Sequence, residues 1–346
     1  MGNKRHAICE LFIVAFAAVL AAGGAANAQN YYDGKKINVT VPAGSGGSYH
    51  TYCLLVSQHM GRHIPGNPTL VAVNRPGAGG AVASAYMYNV AAKDGTEIAM
   101  MAPGSITAPL VNKISYDAQK FAWLGSIVAR SSAIWVWHAK GLRTLDDLKT
   151  KSVRIGSTGF GAGGSVVPRF MNQALGTKME IVYGYKSGGD INLAIERGEV
   201  NGRWNFRSGF LSLKPDWIAK DQIVAVVATG PRDPHHKNIP HLRDILPAGS
   251  LNQKVYDLFA LDYDVGQGFY APPGTPAKVV GILRTAFEVM LEDKDFKADI
   301  AKRNLELEPL SAAQVEDVMH KGFALVSPEV ISKFRDLTVD SRETRK

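Results

Sequence analysis

The chain has 346 residues, among them 35 glycines and two cysteines, and a formal net charge of +8. Apolar residues make up 46 %, enough to fill a core, so wholesale disorder is excluded, and the length suits two domains. Two cysteines cannot build a disulfide-stapled scaffold or a cysteine-based zinc site.

The first residues read as an export signal. Lys4 and Arg5 form a short positive region, residues 11–22 are an unbroken apolar run, and Ala26-Asn27-Ala28 is a small-x-small cleavage site. The run is too short to span a bilayer of ~30 Å as a helix. Cleavage is expected after Ala28, with a periplasmic location. Cys9 leaves with the signal, so Cys53 stays alone. Export also changes the meaning of the basic charge. An exported protein rarely meets nucleic acid, and small anions become the expected partners.

The predicted elements then come in order. Residues 37–41 form an alternating β-branched strand, followed by the glycine-rich turn 42–47. Ser48 is placed to cap a helix reaching about residue 62, with Tyr52, Leu55 and Val56 at helical spacing. A strand over 69–73, a turn over 74–80, a helix carrying Ala85, Met87 and Tyr88, and a strand over 97–101 complete one unit. A short strand at 135–138 and a helix beginning at Leu145 lead to the second unit. That unit has a strand at 153–155, the turn 157–164, a helix over 165–175 and a strand over 179–183. The turn 186–189 follows, with Asp190 as candidate helix cap, then a helix over 191–197 and a strand over 199–204. Two βαβαβ halves imply parallel sheets and an α/β fold of two similar domains.

Residues 223–228 read as a buried strand and 230–250 as a surface excursion. Thr275 and Pro276 are placed at the cap and first position of a helix with Val279, Ile282 or Leu283, Ala286 or Phe287, and Met290 on one face. Ser311 and Gln314 have capping-box form, and Ser327-Pro328 opens a last helix, so the final third is mainly helical.

A glycine turn between strand and helix offers free backbone N–H groups at the positive end of the helix dipole, with no Cβ in the way. Such a turn suits carboxylate or phosphate oxygens, and a matching turn in each half would grip an anion from both sides. The ligand candidates are therefore the turns at 42–50 and 157–165, with 74–80 and 186–190 second. Arg203 and Arg207, near a strand end, could pair with a carboxylate.

Residues 159–164 also satisfy G-x-G-x-x-G, the mark of a dinucleotide-binding oxidoreductase. Against that alternative stand the export signal, the mid-chain position and the lack of an acidic residue after the next strand. No Walker A pattern and no G-x-S-x-G elbow occur, and no cofactor is assigned. His59 and His63 stand four apart, but Gly61 and Pro65 break the helix there, and no metal is assigned. His235, His236 and His241 read as solvated. Trp135, Trp137 and Trp204 read as core.

The runs 41–49 (VPAGSGGSY) and 73–80 (VNRPGAGG), with Asp94-Gly95-Thr96, resemble the substrate-binding receptors of tripartite tricarboxylate transporters, the Bug receptor family. The resemblance continues through 156–164, 185–189, 198–200 and 271–276. It implies a type II periplasmic binding protein fold with two α/β domains and a ligand cleft between them. The implied division is a first domain at 29–130 and 263–346 and a second at 131–262, with crossings near Ser131 and near residues 263–269. It implies a receptor, expected as a monomer and not as an enzyme, that binds a small carboxylate and delivers it to membrane permease subunits. A solute-sensing receptor is the other role open to it.

Carried onto this chain, the ligand-gripping positions are Gly44, Ser45, Gly46, Gly47, Ser48 and Tyr49, and Thr158, Gly159, Gly161, Ala162 and Gly163. The turn ending at Ser105 borders the same cleft, and Asp190 and Arg203 join the candidates from the residue reading above. Many relatives carry Asp where this chain has His50. A neutral or positive ring there is expected to disfavour ligands with an amino group, since a carboxylate would have accepted from it.

Overall fold

The computed structural model describes residues 31–138 and 141–338; the export signal and Cys9 lie outside them. Strand β1 (Lys36–Val41) passes through the first glycine turn into α1 (Ser48–His59). The step repeats with β2 (Thr69–Asn74), α2 (Ala81–Asn89) and β3 (Glu97–Met100). A short α3 (Ala108–Val111) leads to β4 (Ala122–Ser126). The second unit holds β5 (Ser132–Trp137), α4 (Leu145–Thr150), β6 (Val153–Gly156), α5 (Gly163–Leu175) and β7 (Met179–Val182). It continues through α6 (Gly188–Glu196), β8 (Gly202–Phe206), α7 (Ser208–Leu211), α8 (Pro215–Ala219) and β9 (Ile223–Thr229). Then come α9 (Leu242–Ile245), α10 (Leu251–Val265), β10 (Gly268–Ala271), α11 (Ala277–Glu292) and α12 (Lys294–Lys302). The described chain ends with β11 (Leu310–Ser311), α13 (Ala312–Phe323) and α14 (Pro328–Thr338).

These strands form two sheets, ordered β11-β4-β10-β3-β1-β2 and β7-β6-β8-β5-β9. Each contains the same parallel trio, β2-β1-β3 in one and β7-β6-β8 in the other. The α/β expectation of two similar halves is met, but the sheets are mixed rather than purely parallel. Strands β10, β4 and β11 pair antiparallel in the first sheet, and β5 pairs antiparallel with β8 and β9 in the second. The added strands are short, and β10 is only Gly-Phe-Tyr-Ala, which carries no alternation to read.

Helices and crossovers cover both faces of each trio, so its central strand is largely buried. Ile37, Val39 and Val41 of β1 are fully buried, and even Thr40 is 1 % exposed. Helix α11 seals the first sheet with the face expected from its spacing: Val279, Leu283, Ala286, Phe287 and Met290 are all buried in that core. The final helix differs in where it packs. Val330, Phe334 and Leu337 of α14 join the apolar cluster of the second sheet, against α5 and α10, although α14 follows chain segments on the first sheet.

The chain changes sheet twice, between β4 and β5 and between α10 and β10. The two crossing segments run side by side. Gln267 N–H donates to the Val128 carbonyl (2.9 Å), Ile127 N–H to the Gln267 carbonyl (3.1 Å) and Arg130 N–H to the Tyr263 carbonyl (2.7 Å). The Arg130 guanidinium lies 3.4 Å from the centre of the Phe206 ring, which ties this crossing to β8.

Several local expectations shift by a residue or more. Gly47, not Ser48, occupies the N-cap of α1, and Ser48 is its first helical residue. Ser187 caps α6 by accepting from Asp190 N–H, so Asp190 is not the cap. Pro276 takes the cap position of α11 in place of Thr275. His236 and His241 are buried rather than solvated, the former edge-on to Trp135 and the latter bonded to the Gly230 carbonyl at 2.9 Å. His59 and His63 bond Asp299 and Asp293, each at 2.9 Å.

Candidate ligand-binding cleft

The four glycine turns meet in pairs across the gap between the sheets. The first turn faces the fourth: a Cβ added at Gly44 would sit 3.3 Å from the Lys186 carbonyl oxygen. The second faces the third: a Cβ at Gly79 would sit 2.7 Å from Ala162 N. Gly104, in the turn after β3, approaches the third turn as closely, and a Cβ there would lie 2.4 Å from the Gly161 carbonyl oxygen. Both Gly79 (φ 67°) and Gly104 (φ 93°) have positive φ, so glycine is needed there on two counts.

Between these turns lies a cavity of about 500 Å³. Of the residues expected from the sequence, Gly44, Gly47, Ser48, Tyr49, Thr158, Ala162, Gly163 and Arg203 line it. Ser45, Gly46, His50, Ser105, Gly159, Gly161 and Asp190 are outside the lining. Ser45 and Gly46 form the exposed tip of their turn. His50 Nδ1 accepts from Asn74 Nδ2 (3.1 Å), which also donates to the Ala43 carbonyl (2.7 Å), so the ring braces the first turn against the second. The Ser105 hydroxyl is buried without a partner, and the Asp190 carboxylate accepts from Ser187 Oγ at 3.0 Å.

Helices α1 and α5 open into the cavity from opposite sheets. Neither has a side-chain cap, and neither has an acidic residue in its first turn. No side chain therefore accepts from their first-turn N–H groups, although Ser165 N–H of α5 donates to the Ala162 carbonyl at 2.8 Å. By contrast, α6 is satisfied by Ser187. The Ser165 hydroxyl lies 2.6 Å from both the Ser157 hydroxyl and the Gly159 carbonyl, which fixes the shape of the third turn. The cavity thus presents the positive dipole ends of α1 and α5, and that of α2, whose uncapped Gly80 N-cap also lines it, with no carboxylate among the described lining residues.

Sequence reasoning missed most of the side-chain wall. Tyr185, Ile191, Trp204, Asn205, Phe206 and Leu213 line the cavity. Trp204 serves both readings, packing on Tyr263 at 5.0 Å while its edge faces the cleft. Tyr49 lies 6.1 Å from Phe206, and burial pushes its phenol above the ordinary tyrosine range. Burial pulls the Arg203 guanidinium down to about 10, so it remains charged at neutral pH. Among the described residues no cluster of three or more His, Cys, Asp or Glu could hold a metal ion, and no helix is long and apolar enough to cross a membrane.

Comparison with known proteins gives this cleft its context. The profile described as "Tripartite tricarboxylate transporter family receptor" matches residues 56–324. A protein of Agrobacterium vitis, named as the UPF0065 protein in the TAR-I ttuE-ttuC' intergenic region, is 26 % identical over 276 residues, covering 78 % of this chain and 75 % of its own. The structure of the periplasmic binding protein BugD superposes with a TM-score of 0.69 at 20 % identity, covering 89 % of this chain and 99 % of that one. MatC of Rhodopseudomonas palustris with bound malate superposes with a TM-score of 0.66 at 19 % identity, covering 88 % and 99 %. The two-sheet fold with its intervening cleft is that of the periplasmic binding proteins, and the chain belongs to the tripartite tricarboxylate transporter receptor family.

Proposed function

We propose that this solute-binding receptor takes a small organic acid in the cleft and performs no chemistry on it. One observation carries the reading: uncapped helix N-termini from both sheets, those of α1 and α2 on the first and of α5 on the second, open into the same cavity. Each offers N–H donors and a positive dipole end to a carboxylate, and no protein carboxylate competes for them. The malate bound by the structurally similar MatC is an acid of the kind this arrangement favours.

The two sheets then act as two lobes, crossing near Ser131 and near residues 263–269, with α14 bridging from the return segment to the second lobe. The ligand completes its hydrogen bonds only when both turns reach it, so it stabilises the closed arrangement. Export to the periplasm and delivery to the permease of a tripartite transporter complete the proposal, in keeping with the family. A thermal-shift screen of di- and tricarboxylates, aromatic acids and amino acids tests it. An acid at 100 times its Kd should add ~2.7 kcal/mol of apparent stability. A flat response across every acid would overturn the reading.

A further inference from the structure

Arg130 stands at the crossing between the two sheets, and it is 1 % exposed. None of its three guanidinium nitrogens has a hydrogen-bond partner. Aromatic rings hold the group instead. Phe206 of β8 lies 3.4 Å away, and Tyr49 and Tyr52 of α1 lie 5.3 and 5.8 Å away. Burial pulls its pKa down, while the Tyr49 and Tyr52 phenols and the Glu306 carboxylate push it back up. Glu306 faces the guanidinium without reaching it: among the described residues, no carboxylate comes within the 4.0 Å of an ion pair with Arg130.

The Glu306 carboxylate is engaged elsewhere. Its Oε2 accepts from Ser208 Oγ at 2.9 Å, and Ser208 is the fully buried first residue of α7. The Glu306 backbone is clamped to α1, because Tyr52 OH donates to its carbonyl (2.7 Å) and accepts from its N–H (3.1 Å). Glu306 therefore goes with the first sheet, whereas Phe206 and Ser208, at the end of β8 and the start of α7, go with the second. The Ser208–Glu306 bond spans the two lobes behind the wall that Tyr49 and Phe206 give the cleft. A buried guanidinium beside a carboxylate that is bonded to a neutral hydroxyl leaves a strong interaction unmade. The ring contact with Phe206 offsets part of the cost of burial, and only while that ring stays on the guanidinium. Both groups that keep the two charges apart sit on the lobe that departs when the cleft opens.

Resting on the two-lobe closure proposed above, and on no particular ligand, we infer that Arg130 and Glu306 are a positioning pair that exchanges partners. With the lobes together, Arg130 lies on Phe206 and Glu306 accepts from Ser208. With the lobes apart, Arg130 and Glu306 bond each other. The ion pair favours the open arrangement and holds the empty receptor ready for its ligand. Binding has to break it, so the pair raises the apparent Kd in proportion as it lowers the population of the closed arrangement.

Small-angle X-ray scattering of the ligand-free protein tests the inference. Glu306→Gln keeps an acceptor for Ser208 but cannot form the ion pair, so the variant should show a smaller radius of gyration than the parent. In an Arg130→Gln background the same substitution should change nothing, because the cation it would have paired with is gone. Arg130→Lys keeps the charge, and there Glu306→Gln should again compact the protein. Lost packing would loosen the molecule, so compaction separates the exchange from a merely structural role. A Glu306→Gln variant as open as the parent, or more open, would overturn the inference. So would a compaction that persists in the Arg130→Gln background. Neither outcome touches the organic-acid reading, which the acid screen decides without these variants.

Discussion

Asp262 shows how a single buried group shapes the molecule. Its carboxylate accepts from Ile106 N–H (2.8 Å) and Thr107 Oγ1 (2.5 Å), joining α10 to the turn after β3 that borders the cleft. Burial pushes its pKa up to about 6, and Asp264 is raised to about 6 for the same reason. A carboxyl raised above its unfolded value of ~3.9 binds more protons in the native state, so it lowers stability as pH climbs from about 4 to about 6. Asp262→Asn is expected to remove its share of that fall, on the order of 1–2 kcal/mol between pH 4.5 and 6.5. Urea unfolding at pH 4.5 and 6.5 measures this, and an unaltered pH slope in the variant would count against it. Arg203 was legible from its place near a strand end, and the i, i+2 spacing of Arg203 and Asn205 was there to be read. Leu213 was not, because an apolar residue in a turn gives no sign from sequence alone that it walls a cavity.

At the level of elements, the glycine turns were the most readable feature, because a run such as Gly-Ser-Gly-Gly between an apolar strand and a helical pattern has few other uses. The capping box of α13 was equally clear and is present as read, with Ser311 and Gln314 bonded reciprocally. What the sequence hid was partnership between distant segments. Nothing in the four residues of β10 says that they lie antiparallel between β3 and β4, and nothing in α14 says which sheet it covers. Both are settled by tertiary burial rather than local propensity. Phe334 of α14 packs 5.9 Å from Phe259 of α10, inside the second-sheet cluster. Phe334→Ala should therefore cost about 3–5 kcal/mol in denaturant unfolding, as loss of a core phenylalanine does. A cost below ~1 kcal/mol, the range of a surface substitution, would show that α14 is dispensable to that lobe.

For the whole molecule, the account turns on the two lobes meeting through their turns around an anion. Gly104 sits where that meeting is tightest, so Gly104→Ala should hold the turns apart and weaken ligand binding about tenfold, from ~1–2 kcal/mol of backbone strain plus the clash. Gly161→Ala on the facing turn is the comparison. Its Cβ would meet the Ala78 carbonyl at an ordinary 3.6 Å, so it should weaken binding less. Equal losses in the two would argue against a steric contact between the lobes. The central claim, that N–H groups at the starts of α1 and α5 hold the ligand together, is tested most directly by amide hydrogen exchange with and without an acid from the screen that binds. Slowed exchange is predicted at residues 44–49 and 158–164 together. Binding that left both stretches unprotected, or protected only one of them, would contradict it.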